Sequence, residues 1–265
     1  MSIIDKYSER ADDVNSLLCV GLDSNIDYLP EEFLEKEFPQ FAFNKWIIEQ
    51  THEFVAAYKP NIAFYEARGV DGLRELQMTM EYLRENHPTI FTICDAKRAD
   101  IGSTSEAYAK AIFDTLGFDA ITLHPYLGKD ALEPFLCRED KGCIILCRTS
   151  NAGAVEFQDL QIEGKYLWEV VAEKVCAEWN TSGNCMLVVG ATYPNEMKVI
   201  RQIVGEMTLL VPGIGVQGGN VQQTVTSGLN SDGSGLIINS ARGIIFSENP
   251  RRAAHELRDG INEYR

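Results

Sequence analysis

The chain has 265 residues, 45% apolar and 24% charged, with a formal net charge of −15. This is the composition of a globular protein with a sizeable core. The negative balance argues against a nucleic-acid or membrane-surface binder, since both need broad positive patches, but it allows a small anionic ligand held by a local cluster of donors.

The first residues, "MSIIDKYSERADD", lack the apolar centre of a signal peptide, and no run in the chain reaches transmembrane length. Without a secretion signal, the "NTS" glycosylation match at 180–182 reads as chance, and a cytoplasmic protein is expected. Short apolar runs then alternate with longer amphipathic stretches. The runs are "LLCVGLD" (17–23), "VAAYKPNIAF" (55–64), "TIFTICDAK" (89–97), "AITLHP" (120–125), "GCIILCRTS" (142–150), "CMLVVGAT" (185–192), "TLLVPGIG" (208–215) and "GLIINSARG" (235–243). Most are continuously apolar rather than alternating, as parallel strands covered on both faces require.

Helical patterns lie between them. "FAFNKWIIEQTHEFVA" follows Pro39-Gln40, and "GLRELQMTMEYLREN" stops before Pro88. "STSEAYAKAIFDTLG" pairs Ser103 with Glu106 as a capping box would and ends at a glycine. Trp46, Trp168 and Trp179 fall on helical stretches and read as barrel-covering core. Eight strand–helix units without a polar linker predict a single-domain TIM (β/α)8 barrel over residues 1–265, with an open doubly wound sheet as the alternative. Of the seven cysteines, Cys19, Cys94, Cys143 and Cys147 lie in apolar runs, as buried thiols of a reducing compartment do. Cys143 and Cys147 share a strand face, but no His or further Cys completes a zinc set.

In a barrel of this kind the chemistry sits at the C-terminal ends of the strands. The polar residues there are Asp23, Lys59, Asp95, Lys97, His124, Thr149, Ser150, Thr192, Gly213, Gly215, Gln217, Ser240 and Arg242. Asp95 and Lys97 are two apart and are expected on one face by strand alternation. Neighbouring strands lie about 5 Å apart, so Asp23, Lys59, Asp95 and Lys97 form an arc of alternating sign, expected to keep every member ionised. A charged lysine suits stabilisation of carbanionic charge and proton donation; a Schiff base would need a neutral amine. His124 reads as structural or pocket-lining. Strands seven and eight close on "VPGIGVQGGN" and "INSARGIIF", the usual phosphate-binding place in this fold, where Arg242 offers a fixed cation and Gln217 a donor. "GIGVQG" also satisfies GxGxxG, but no acidic residue ends the next strand, so a dinucleotide fingerprint is a poor reading.

"DAKRADIGST" (95–104) resembles the Asp-x-Lys-x-x-Asp-Ile-x-x-Thr signature of the orotidine 5′-phosphate decarboxylase family. The resemblance runs through "GLDS", "YKPN", "CRTSNAGA", "PGIGVQGG" and "NSARGI", and "DAKRADIG" with "CRTSNAGA" is similar to the bacterial-type subgroup. Ala99 and Ala152 stand where Gly and Pro are common there, and neither position carries a catalytic group. The resemblance implies cofactor-free, metal-free decarboxylation of orotidine 5′-monophosphate to UMP. Lys97 would stabilise the C6 carbanion and supply its proton, with Asp95 against the departing carboxylate and Lys59 and Asp100 completing the network. Asp23 and Lys59 would hold ribose hydroxyls, with Ile101 and Thr104 also at the substrate, Ser150 at the pyrimidine edge, and Gln217 and Arg242 at the phosphate. It also implies a homodimer in which Asp100 and Thr104 cross to the partner's site. Two other readings are a related sugar-phosphate enzyme, which would stabilise an enediolate with Mg²⁺, and a nucleotide-binding barrel without catalysis. The Mg²⁺ reading needs carboxylate ligands at strand ends, where strand two offers Lys59 and strand four His124.

Overall fold

The computed structural model of the protein describes residues 2–214 and 218–265. Eight parallel strands close into a barrel: β1 Leu18–Val20, β2 Ala57–Tyr58, β3 Phe91–Arg98, β4 Ala120–Leu123, β5 Gly142–Arg148, β6 Cys185–Val189, β7 Leu209–Pro212 and β8 Leu236–Ser240. Each strand pairs with its successor in the chain, and β8 closes on β1 with Leu18 opposite Ile238 and Val20 opposite Ser240. The expected (β/α)8 barrel is therefore the fold. The continuous apolar runs are explained by double coverage: every residue of β4, β6 and β8 is buried, facing either the barrel interior or the helical layer.

Helices Pro39–Thr51, Gly69–Asn86, Gly102–Ala109, Lys129–Leu136, Leu167–Lys174, Pro194–Val204, Val221–Gly228 and Pro250–Asn262 form that layer. Pro39, Pro194 and Pro250 occupy first-turn positions, where the missing N–H has no intrahelical partner to lose. Trp168 and Trp179 are buried, and Trp46 packs against the core from the edge.

Two local expectations are corrected, and two elements were not foreseen. The capping box at Ser103 does not form. The helix starts at Gly102, which places Ser103 inside the first turn; Ser105 Oγ instead accepts the Asp100 N–H at 2.9 Å. The second strand is two residues long rather than the whole of 55–64. Pro60 supplies no N–H, and the chain turns into a short helix at Ala63–Glu66. An unforeseen hairpin, Gln161–Ile162 with Lys165–Tyr166, follows β5.

The N-terminal segment forms a helix over Ile3–Asp13, capped by Ser2 and Asp5. Ile3, Tyr7 and Ala11, four apart on one stripe, are buried. Tyr7 Oη donates to the Leu236 carbonyl at 2.5 Å, and Lys6 pairs with Asp119 at 2.6 Å, so this helix seals the end of the barrel opposite the functional mouth.

Candidate active site

The carboxyl ends of the strands open into a cavity of about 760 Å³. Leu146, Val188 and Leu210 give it an apolar side from β5, β6 and β7, while β1 to β3 bring charge. Of the strand-end residues read from the sequence, Asp23, Lys59, Asp95, Lys97, Thr149, Ser150, Gly213, Ser240 and Arg242 line it. His124 and Thr192 are not among its described lining residues. Gly215 and Gln217 lie outside the described residues.

Lys97 does face the mouth with Asp95, but not through strand alternation. Between Cys94↔Ile121 and Arg98↔Leu123, β3 advances four residues while β4 advances two, so β3 bulges. Lys97 sits in the bulge at φ 47°, a left-handed conformation uncommon for a residue with a side chain. Its Nζ donates to Asp95 Oδ1 at 2.5 Å, and Lys59 Nζ donates to Asp95 Oδ2 at 2.9 Å. Thr122 Oγ1 adds a third donor to Asp95 Oδ1, at 2.9 Å. Sequence reasoning missed Thr122; its only signal was a hydroxyl in the apolar run "AITLHP", opposite the charged strand end.

The Lys59 side chain is 4% exposed and that of Asp95 12%, so this pair is cut off from water. Burial acts against both charges. For Asp95, the ammonium groups of Lys59 and Lys97 overcome that effect and hold the carboxyl far below the usual carboxylate range. For Lys59, Asp95 and Asp23 overcome it and raise the ammonium above an ordinary lysine. Asp23 behaves differently, which corrects the expectation that the arc favours ionisation of every member. Burial outweighs Lys59 there, Asp95 adds repulsion, and the Asp23 carboxyl is raised. Its Oδ1 is buried with no hydrogen-bond partner among the described residues. Such an atom is a ready acceptor for a ligand hydroxyl.

After β5, the loop carrying Ser150 is fixed by the buried Arg148. Its guanidinium stacks on Tyr193 at 3.8 Å and reaches Gln158 at 3.2 Å and Asp159 at 3.3 Å. Gln158 in turn accepts the Thr149 N–H at 2.9 Å and donates to Thr149 Oγ1 at 2.7 Å. Gly190, at the end of β6, makes room for this loop: a Cβ there would lie 2.8 Å from Ser150 Cα.

Across the mouth, Gly213 takes φ 103° and Arg242 begins the short helix Arg242–Ile245, exposed at the cavity rim. Among the described residues no ion pair holds Arg242. Three residues of the signature are not in this cavity's described lining: Asp100, Ile101 and Thr104. Asp100 is half-buried with Oδ1 accepting the Ile101 N–H at 2.7 Å, and Ile101 is 64% exposed.

A family model described as "Orotidine 5'-phosphate decarboxylase / HUMPS family" matches residues 16–257. A curated relative named orotidine 5′-phosphate decarboxylase from Cellvibrio japonicus is 45% identical, spanning 99% of this chain and 98% of its own. One of the same name from Flavobacterium johnsoniae is 49% identical over 92% and 89%. The solved structure of Leishmania donovani OMP decarboxylase is 42% identical, covers 100% of this chain and 98% of its own, and superposes with a TM-score of 0.89. A match over most of the length, in sequence and in backbone, places the chain in the orotidine 5′-phosphate decarboxylase / HUMPS family.

Proposed function

We propose that this protein is a carboxy-lyase that converts orotidine 5′-monophosphate to UMP and CO₂ in pyrimidine biosynthesis, using its own side chains alone. One observation carries the reading beyond family membership: two ammonium groups clasp Asp95 at the mouth of a nucleotide-sized cavity. Loss of CO₂ leaves the electron pair of the broken bond on C6, with no adjacent group to delocalise it. Lys97 faces that charge as a fixed cation, then transfers a proton from Nζ to C6 and regains one from solvent. Electrostatic stabilisation is strongest where the charges are already held in place, and Asp95 fixes both ammonium groups at 2.5–2.9 Å. Asp95 lies against the departing carboxylate and orients Lys97, while Lys59 keeps Asp95 ionised.

Ribose hydroxyls donate to Asp23, whose unpartnered Oδ1 supports this assignment, and Lys59 binds beside it. Ser150 reads the pyrimidine edge from its braced loop. Arg242, and Gln217 from outside the described residues, grip the phosphate. Because the phosphate is remote from C6, its binding energy lowers the barrier only by driving orientation and closure around the reacting carbon.

The working unit is a homodimer, with Asp100, Ile101 and Thr104 serving the partner's cavity. Their position outside the described lining of their own cavity supports this. Residues 1–265 act as one catalytic domain. A cytoplasmic location fits seven free cysteines and described helices none of which is long and apolar enough to cross a membrane. The deciding assay follows the absorbance of orotidine 5′-monophosphate with purified protein after EDTA treatment. Turnover surviving chelation supports the reading. Turnover restored only by Mg²⁺ points to the enediolate chemistry of related barrels, and binding without turnover to a nucleotide sensor.

A further inference from the structure

We propose that Thr122 of β4 is the positioning residue that sets Lys97 and Asp95 for proton transfer; the proposal takes the reacting atom from the decarboxylase reading above. The bulge in β3 lifts two consecutive N–H groups, those of Ala96 and Lys97, out of the regular ladder with β4. Both donate to Thr122 Oγ1, each at 3.0 Å. A hydroxyl has two lone pairs and one proton. With both lone pairs occupied, the proton is left for Asp95, and it points to Oδ1 at 2.9 Å.

One buried hydroxyl therefore fixes three things together: the backbone on either side of the bulge, the left-handed turn at Lys97, and the carboxylate oxygen that Lys97 contacts. Lys97 needs such support. Its side chain is 49% exposed and has four flexible carbons, so its aim depends on the direction of its backbone and on the Asp95 oxygen that anchors Nζ. Valine has the same shape as threonine but would strand both buried N–H groups and release Asp95 from one donor.

The test compares Thr122→Val, Thr122→Ala and Thr122→Ser with wild type, measuring kcat and KM on orotidine 5′-monophosphate, UMP affinity, and fold by near-UV circular dichroism. Wild-type turnover judges the decarboxylase reading, and the ratio of variant to wild type judges this inference. Misplacing a reacting group by about 1 Å can cost about 100-fold. The Val and Ala variants are expected to lose about that much in kcat while KM and UMP affinity stay within about threefold, because the phosphate and ribose contacts come from other strands. Ser, which keeps the oxygen, is expected within about threefold of wild type. The proposal is overturned if folded Val or Ala variants keep wild-type kcat, if Ser falls as far as Val, or if KM rises as kcat falls. Val and Ala chains that do not fold would also overturn it, by making the hydroxyl a requirement of the barrel rather than of Lys97.

Discussion

The two sides of the barrel mouth are built on different terms. On the β1–β3 side, Lys59, Asp95 and Lys97 are joined at 2.5–2.9 Å, with the Lys59–Asp95 pair shielded from water and Lys97 half-exposed above it. On the β7–β8 side, Arg242 is exposed and has no ion-pair partner among the described residues. Charges that must act on a short-lived carbanion gain from being fixed in advance, since reorganising them during the reaction would add to the barrier. A cation that meets a phosphate dianion can wait in water, because the ligand brings the opposite charge. Under the proposed function, the difference gives chemistry to one rim and binding energy to the other, and each proposal can be broken separately.

The largest effect is expected at Lys97. Lys97→Ala should lower kcat by about 10⁴-fold or more while the fold survives, since general acid catalysis alone accounts for about 10²–10⁴-fold and charge stabilisation is lost with it. Substantial turnover by steady-state assay would remove Lys97 as proton donor.

Next is the buried pair. Lys59→Met should destabilise the protein by about 3 kcal/mol in urea unfolding, because it leaves Asp95 buried with one cation fewer. The pH dependence has a definite sign. Asp95 has a depressed carboxyl, so its contribution is present above the ordinary carboxylate value of about 4 and is lost as pH falls. Lys59 is raised, so its contribution is full below the ordinary lysine value of about 10.4 and is lost as pH rises further. The gap between wild type and Lys59→Met should therefore be widest between about pH 5 and 10. A gap independent of pH would mean that the pair contributes packing rather than charge.

On the opposite rim, Arg242→Ala should lower kcat/KM by about 30-fold, the value of a charged hydrogen bond of about 2 kcal/mol. Phosphite dianion should then partly restore turnover of the phosphate-free nucleoside by wild type. An Arg242→Ala enzyme as active as wild type would remove the phosphate grip.

The smallest effect belongs to Asp23, where function and stability pull apart. Asp23→Asn should raise KM about tenfold by weakening a hydroxyl contact, yet stabilise the protein at neutral pH. Its raised carboxyl means that ionised Asp23 costs the fold stability. The gain should vanish at acid pH, where the carboxyl is protonated in both folded and unfolded chains. Loss of stability at neutral pH would reverse the sign assigned here.

Much of this was legible from residue order. The eight apolar runs marked the strands because both faces of each are covered, and charges at their ends marked the mouth. What escaped depended on contacts between distant segments. Alternation gave Lys97 the right destination by the wrong route, since the bulge depends on Thr122, 25 residues away. The capping box at Ser103 failed because the helix begins at Gly102, two residues before the start that a Ser103 cap requires, with the Ser105 hydroxyl accepting from Asp100. The upward shift of the Asp23 carboxyl escaped because burial depth is a property of the assembled rim, where it outweighs Lys59.

The most direct test is a crystal structure of the protein with UMP bound. The account expects Lys97 Nζ within about 3 Å of C6, Asp95 between the two lysines, Arg242 on the phosphate, and Asp100 reaching in from a second subunit. A pyrimidine ring bound away from Lys97, or Lys97 swung out of the cavity while UMP is in place, would contradict it.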